Sequence, residues 1–292
     1  MAKLIIPQAD HFSGRVSWKG SLDKISSKFS EMNLMDRVRE TQFKYIFSAP
    51  PLLFSGTIIH EMLLRKSGSN KNGIQFLVNK TELNFGIREF ALITGLHFGK
   101  FPVKTEMGVT SLLKKYFKSR KQLKIGEVES CLVSCANKED VWKLGLVCLV
   151  SQYLFAYEPK RNVDMKLFDM VEDPDFFLQY PWGKICFRIT LKGINKNMPH
   201  YRQMYIQKKK KYDEYRGGRR SGKVYPPDAQ YTVYGFALAF QVWTYEVITS
   251  FVPSFAERLK LEEPGPRIML YTSNKKNSRV EISKALNDNV RI

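Results

Sequence analysis

The sequence predicts a mainly α fold, namely a single helical domain with a small β-hairpin and a basic flexible loop. Three observations support this prediction. Apolar residues recur at helical spacing in most segments of the 292-residue chain. Two short apolar runs flank a turn-forming Asn-Lys-Thr triplet at 79–81. A charged, Gly-containing segment at 197–227 interrupts the apolar pattern and ends in two prolines.

The first part of the chain is predicted to be a flexible leader followed by helices. Residues 1–20 lack a sustained apolar period and form the predicted leader. Apolar residues spaced between 22 and 46 mark one or two helices, which the prolines at 50–51 end. Ser55-Gly56 opens a further helix, and the polar run at 67–70 is expected to end it.

The segment 74–96, called here the hairpin–helix segment, is the most specific local pattern. Its strands are predicted at 74–78 and 82–85. Gly86 stands where a helix cap is expected, and Glu89 three residues later supplies half of a capping box. The helix that follows is apolar nearly all round, so we expect it to be largely buried.

The remainder is predicted to be helical up to a linker, after which one long apolar helix precedes a polar tail. Helices are expected at 110–121, 127–135, 139–157 and 163–170, with a turn at 174–180. The run 184–191 fits helix or strand by period, and its helical neighbours favour helix. A flexible basic insertion at 197–227, a helix at 230–250, a short strand at 265–271 and a polar tail at 273–292 complete the domain, which spans 21–272.

Four segments, in the same order, resemble one known family. They are Leu83–Leu96, Tyr180-Pro181-Trp182-Gly183-Lys184, Tyr234–Glu246 and Pro266-Arg267-Ile268. They resemble a plant domain of unknown function that sits beside ubiquitin-like (SUMO) protease modules in Mutator-like transposon proteins and is similar to the plant mobile domain. The resemblance runs from about residue 25 to 272 and implies a transposon-associated protein without known activity. The family motif implies a set of core residues, namely Phe85, Phe90, Ile93, Gly95, Leu96, Trp182, Gly183, Trp243 and Glu246.

The net charge of +19 is concentrated in two short segments. The first basic cluster, 114–124, has six basic residues and no acidic one, and the second basic cluster, 208–223, has eight basic residues against Asp213 and Glu214. Such clusters attract phosphate backbones, anionic lipid or acidic proteins, and charge alone does not choose among them; an ordinary solvated surface explains the clusters equally well. The candidate nucleic-acid-binding residues are Lys114, Lys118, Arg120, Lys121, Lys124, Lys208, Lys209, Lys210, Lys211, Arg216, Arg219 and Arg220. Tyr205, Tyr212 and Tyr215 are candidates for stacking on bases.

Catalytic and metal-binding patterns are missing from the sequence. Cys131, Cys135, Cys148 and Cys186 stand in none of the contexts that a cysteine protease needs, so no catalytic residue, metal site or cofactor is predicted. The four cysteines also lack disulfide-framework spacing, which favours free thiols in an intracellular compartment. The apolar stretch 231–252 contains Glu246 and several polar residues, so it is expected to be a core helix and not a membrane span.

Two hypotheses about function remain. The first is a non-catalytic nuclear module that binds DNA or chromatin through phosphate contacts, with the lysine run 208–211 also resembling a nuclear-import signal. The second is a protein-interaction adaptor that does not bind nucleic acid, and an acidic protein is the alternative partner for the basic clusters. No membrane partner is expected.

Overall fold

The computed structural model describes residues 2–103, 111–217, 227–275 and 278–287. The mainly α prediction is confirmed. The strands are β1 (Gly14–Ser17), β2 (Lys66–Asn70), β3 (Gly73–Val78), β4 (Thr81–Gly86), β5 (Ala229–Thr232), β6 (Glu257–Arg258) and β7 (Tyr271–Thr272). The helices of the first half are α1 (Asp23–Glu31), α2 (Met35–Arg39), α3 (Lys44–Ser48), α4 (Gly56–Leu64), α5 (Ile87–Thr94), α6 (Ser111–Phe117), α7 (Ile125–Ser134) and α8 (Lys138–Cys148).

The second half is also helical. A π-helical segment, Leu149–Leu154, continues α8. The following helices are α9 (Lys166–Val171), α10 (Pro174–Gln179), α11 (Trp182–Ile194), α12 (Met198–Gly217), α13 (Ala237–Val247) and α14 (Arg279–Asn287). The helix favoured at 184–191 is confirmed as part of α11, and the turn predicted at 174–180 is the helix α10. Among the described residues, no helix is long and apolar enough to cross a membrane.

The predicted hairpin exists, but it belongs to a three-stranded antiparallel sheet in the order β2-β3-β4. Val78 pairs with Thr81, which leaves a two-residue loop. Asn79 and Lys80 adopt φ values of 48° and 66° there, as a turn of type I′ requires. The polar run at 67–70, expected to end a helix, is strand β2 instead, because its backbone pairs with β3.

Helix α5 begins and ends as its sequence predicts, but it is less buried. The backbone N–H of Gly86 donates to Glu89 Oε2 at 2.9 Å. Gly95 ends the helix with φ at 65°. Ile87 and Leu92 are 43% and 57% exposed, so the expectation of a largely buried helix is wrong on that side. The cause is packing of α5 along one side only, because α11, α13 and β4 lie against it there.

We expect Gly95→Ala to lower the free energy of unfolding by about 1–2 kcal/mol, because an L-residue is strained in the left-handed region. A Cβ at this position would also lie 3.0 Å from Tyr45 Cδ2 and Pro266 Cγ. Urea unfolding measures the change. Gly99→Ala is the matched control, because its Cβ meets nothing within 4 Å. Equal stability of the two variants would contradict the role given to Gly95.

The core is an aromatic cluster around the hairpin–helix segment. Phe85 is fully buried, and its ring centroid lies 5.0 Å from that of Phe240 and 5.3 Å from that of Trp243. Phe90 and Phe187 pack against each other at 5.6 Å. The segment therefore joins β4, α5, α11 and α13 into one apolar cluster.

Both ends of the chain depart from the predicted leader and tail. Strand β1 lies within the leader and pairs in parallel with β5, while Phe12 beside it is only 2% exposed. Helix α14 lies within the tail and buries Ile282 and Leu286 against α4 and the 3₁₀ turn Thr249–Phe251. These expectations were wrong because each element is stabilised by partners far away in sequence.

Three further expectations, from the second basic cluster onward, are corrected. The predicted flexible insertion is helical over α12, which consists mainly of lysine, tyrosine and glutamine and contains no glycine before Gly217. The helix predicted at 230–250 begins only at Ala237, because residues 229–232 pair with β1. The strand expected at 265–271 is a 3₁₀ turn, Arg267–Leu270, followed by β7.

Candidate nucleic-acid interface

Helix α12 docks through one face, whose half-buried side chains recur every three or four residues. The ring of Tyr201 lies 4.6 Å from that of Tyr231 on β5, and the ring of Tyr205 lies 5.6 Å from that of Phe12. The guanidinium of Arg202 forms an ion pair with the carboxylate of Asp10, and its Nε also donates to the Asp10 carbonyl at 3.3 Å. These contacts hold the first half of α12 against the β1–β5 pair.

The lysine run 208–211 lies on the second half of α12 and is exposed. Lys208 is turned toward the protein, because its Nζ donates to the Asp228 carbonyl at 3.3 Å. Successive helical residues turn by about 100°, so Lys210 lies on the side of the helix opposite to Lys208, whereas Lys211 lies about 60° from Lys208. Both Lys210 and Lys211 are exposed to solvent.

The acids of α12 neutralise its lysines only weakly. Lys209 Nζ lies 3.8 Å from Asp213, and Lys210 Nζ lies 4.0 Å from Glu214. All four side chains are more than half exposed. Exposed pairs one turn apart contribute about 0.3–0.5 kcal/mol, so a phosphate group can replace such an acid at little loss.

Two of the three tyrosines proposed to stack on bases are used for packing. Tyr205 contacts Phe12, and Tyr212 is half-buried. Tyr215 is 41% exposed near the end of α12. Only Tyr215 of the three therefore keeps an accessible ring face for a base.

The first basic cluster spans the end of α6 and the turn that leads to the first residue of α7. Helix α6 ends at Phe117, earlier than predicted, and Lys118 and Ser119 adopt positive φ values of 50° and 56°. Lys114, Lys118 and Lys121 are exposed. Helix α6 is tied to α8 and to the residue after α9, since Tyr116 donates to Asp140 at 2.7 Å and Ser111 donates to Glu172 at 2.7 Å.

Part of the first basic cluster is neutralised by acids that come from other elements. Lys115 forms an ion pair with Asp140 of α8. Arg120 donates to both oxygens of Glu127, at 2.6 and 3.3 Å. The Arg120 hydrogen bonds and that of the Lys124 backbone N–H lower the pKa of Glu127, which keeps it charged. Lys124 Nζ donates to Asn162 Oδ1 at 2.6 Å. Arg120 and Lys124 are thus less available to phosphate than their charge indicates.

The three remaining candidates are arginines at or beyond the end of α12. Arg216 belongs to α12 by its backbone, but its side chain lies outside the described part of the structure. Arg219 and Arg220 lie outside the described residues altogether. The second basic cluster, on α12, therefore has more exposed lysines without a strong acid partner than the first basic cluster has.

The four cysteines are free thiols. Burial raises the pKa of Cys148 well above its usual value, and it raises those of Cys186 and Cys131 to about 12 and about 11. These thiols are therefore protonated near neutral pH, whereas a cysteine nucleophile acts as the thiolate. Within the described ranges, no group of three or more His, Cys, Asp or Glu side chains is arranged to hold a metal ion.

The span from the end of α4 to α11 contains the hairpin–helix segment and the Pro-Trp-Gly block. Residues 63–193 match the family model of a domain of unknown function, DUF1985. The matched span is a little under half of the chain. Comparisons with curated proteins and with solved structures gave no match.

The motif residues inside the DUF1985 span have structural roles. Phe85, Phe90, Ile93 and Leu96 are buried, and Trp182 donates from Nε1 to the Phe177 carbonyl at 2.8 Å. Gly183 permits a close approach, because a Cβ there would lie 2.7 Å from the His97 carbonyl oxygen. The motif residues of this span therefore hold the core together.

Two motif residues, Trp243 and Glu246, lie beyond the DUF1985 span. Trp243 belongs to the aromatic cluster around Phe85. Glu246 accepts from the Tyr271 hydroxyl and lies 3.5 Å from Arg267 Nε. The late helix α13 and the Pro-Arg segment are thus packed together and against the matched span.

Sequence reasoning missed one buried charged group. Glu61 of α4 and Arg65, directly after the end of α4, are almost fully buried, and Arg65 Nη1 lies 2.9 Å from Glu61 Oε2. Arg279 of α14 donates to the other Glu61 oxygen at 2.7 Å. The signal was present, because opposite charges four residues apart inside an otherwise apolar helix indicate a paired, buried site.

Proposed function

We propose that the protein is a non-catalytic, transposon-associated nuclear module that binds DNA or chromatin through contacts to phosphate groups. The observation that carries this proposal is the helix α12, which exposes the lysine run 208–211. Four consecutive lysines resemble a nuclear-import signal, and the transposon association comes from the resemblance of the sequence motifs.

The geometry of α12 favours a phosphate backbone as the ligand. Lysine ammonium groups act as point charges that neutralise phosphates without reading base sequence. Lys210 and Lys211 lie toward solvent, while Tyr201, Arg202 and Tyr205 hold the helix from the other side. A helix anchored in this way presents its charges without a large ordering penalty on binding.

The first basic cluster is proposed as a second, weaker contact. Lys114, Lys118 and Lys121 are exposed, whereas Arg120 is paired with Glu127 and Lys115 with Asp140. The proposed readout is unspecific, because phosphate contacts carry no base information.

We expect Lys210→Gln/Lys211→Gln to bind unspecific duplex DNA roughly tenfold more weakly than the wild type at about 50 mM salt. Fluorescence anisotropy of a labelled duplex measures the two dissociation constants. The variant removes two charges from an exposed helix face and leaves the docking contacts of Tyr201, Arg202 and Tyr205 in place.

The matched control is Lys71→Gln/Lys284→Gln, which removes the same charge from two exposed lysines on other elements. If binding depended on net charge alone, both double variants would weaken it equally, and the assignment to α12 would be wrong. Absence of binding by the wild-type protein at low salt would contradict the proposed function itself.

A second candidate function is a protein-interaction adaptor. The observation that favours it is the exposure of large apolar side chains: Leu92 is 57%, Phe101 49% and Val103 88% exposed. Exposed apolar groups of this kind occur at protein-interaction sites. An adaptor predicts a partner whose binding survives neutralisation of both basic clusters and is lost in Leu92→Ser/Phe101→Ser.

A further inference from the structure

An open cavity of about 460 Å³ lies where the N-terminal segment, the end of α4, the β3–β4 turn and the end of α14 meet. We call it the N-terminal cavity. Its polar lining includes Gln8, His11, Arg65, Lys80 and Asn287. Two of these residues are cationic, and no carboxylate is found among the described residues that line it. The lining therefore suits an anion.

The charged groups beneath the cavity also have a net positive charge. Glu61 is the carboxylate that pairs with Arg65, at 2.9 Å, but it also pairs with Arg279, at 2.7 Å. Two guanidinium groups thus share one carboxylate. Arg65 is only 3% exposed, so its charge is weakly screened by water.

Hydrogen-bond donors converge at the wall of this cavity. Arg65 Nη2 and Gln8 Nε2 both donate to Asn287 Oδ1, at 2.8 and 3.1 Å. Asn287 Oδ1 takes one N–H from each of these nitrogens, and each nitrogen carries a second N–H that an oxyanion can accept. Lys80 is exposed in the β3–β4 turn, where it can add an ammonium group to the same ligand.

His11 adds an acceptor to this cationic site. Its Nε2 is buried and has no hydrogen-bond partner. Burial and the charge of Arg65 lower the pKa of His11 despite a hydrogen bond to the Ile6 backbone, so the ring is neutral near pH 7. In the neutral ring one nitrogen carries the proton and the other a lone pair, and the tautomer protonated at Nδ1 leaves the unpartnered Nε2 as an acceptor.

We propose that the N-terminal cavity binds inorganic phosphate in its hydrogen phosphate form. The phosphate oxygens would accept from Arg65, Gln8 and Lys80, and the P–OH group would donate to His11 Nε2. Sulfate has a similar shape and charge but no hydrogen near neutral pH. A phosphodiester also has no P–OH group, so this site differs in its chemistry from the DNA contact proposed for α12.

Isothermal titration calorimetry of the full chain with phosphate, sulfate and dimethyl phosphate, at pH 7 and matched ionic strength, tests this proposal. We expect phosphate to bind at one site, and both sulfate and dimethyl phosphate to bind at least about tenfold more weakly, because each leaves the buried acceptor of His11 unpaired. Failure of phosphate to bind, or equal binding of phosphate and sulfate, would overturn it.

Variants at the rim assign the site. Lys80→Gln should weaken phosphate binding several-fold, whereas Lys71→Gln, at the other turn of the same sheet, should leave it unchanged. His11→Phe should remove the preference for phosphate over sulfate. The sulfate and Lys80 comparisons alter no buried residue, so they remain decisive if His11→Phe does not fold. Equal phosphate affinities of the Lys80 and Lys71 variants would overturn the assignment to this cavity. Lys80→Gln should leave duplex DNA binding unchanged, which separates this inference from the proposed function.

Discussion

Replacing Glu61 by glutamine is expected to lower the free energy of unfolding by about 3–5 kcal/mol, because removing one partner of a buried ion pair leaves the other charge uncompensated. The Glu61 side chain is 1% exposed and that of Arg65 is 4% exposed. The substitution keeps the shape of the side chain but leaves two arginines, Arg65 and Arg279, without a carboxylate. Urea unfolding of the wild type and the variant at pH 7 measures the difference.

The matched control is Asp36→Asn. Asp36 pairs with Arg39, and the two side chains are 91% and 71% exposed. Exposed pairs contribute about 0–1 kcal/mol, so this variant should be close to the wild type in stability. A loss of less than 1 kcal/mol for Glu61→Gln would show that water or a rearrangement compensates the arginines.

The buried carboxylate of Glu61 also predicts that the stability of the protein depends on pH. Burial acts to raise the pKa of Glu61, but hydrogen bonds and charges from Arg279 and Arg65 outweigh it and hold the pKa below its ordinary value of 4.5. The stabilisation is therefore fully present above that value and is lost as the pH falls through the lower pKa of the folded state. The Glu61→Gln variant should lack this part of the acid-induced loss of stability.

Replacing Phe85 by alanine is expected to lower the free energy of unfolding by about 3–5 kcal/mol, since it removes a fully buried aromatic side chain and leaves a cavity. The ring lies 5.0 Å from that of Phe240 and 5.3 Å from that of Trp243, with Phe90 and Phe187 also in contact. Because α5, α11 and α13 meet at this ring, the surrounding cluster has little freedom to collapse into the cavity.

Leu92→Ala is the control for Phe85→Ala within the same segment. Leu92 is 57% exposed, so its truncation should change stability by at most about 0.5 kcal/mol. Thermal or urea unfolding distinguishes the two variants. If Leu92→Ala were the more destabilising, the side of α5 that carries Leu92 would have to contact the core, which would contradict the packing around Phe85.

The hairpin–helix segment could be predicted from sequence because its signals are local. The turn at Asn79-Lys80, the cap at Gly86 and the left-handed Gly95 all act within a few residues of the elements they define. Its exposure could not be predicted as well, because which side of α5 is covered depends on α11 and α13, which follow much later in the chain.

The elements that were missed depend on distant partners. Strand β1 is four residues long and pairs with β5, whose residues follow more than 200 positions later. Helix α14 was read as a polar tail, yet Ile282 and Leu286 bury against α4 and Arg279 reaches Glu61. Short polar segments carry little periodicity of their own, so tertiary contacts decide their structure.

The exposure of the candidate binding residues was predicted in part. Clustered charge correctly indicated exposed lysines at 114, 118, 121 and 208–211. The acids that neutralise Lys115 and Arg120 could not be assigned, because Asp140 lies on α8 and the Arg120 pair depends on the turn that follows α6. The helical state of α12 was also missed, since its charge was read as a sign of flexibility although lysine and glutamine favour helix.

The most direct test of the proposed DNA contact is the dependence of duplex affinity on salt concentration. Neutralising each phosphate contributes about −0.9 to the slope of the logarithm of the binding constant against the logarithm of salt concentration. Phosphate binding by α12 predicts a steep negative slope for the wild type and a slope shallower by about 1.8 for Lys210→Gln/Lys211→Gln. A wild-type affinity that does not change with salt, or equal slopes for wild type and variant, would contradict phosphate binding by α12.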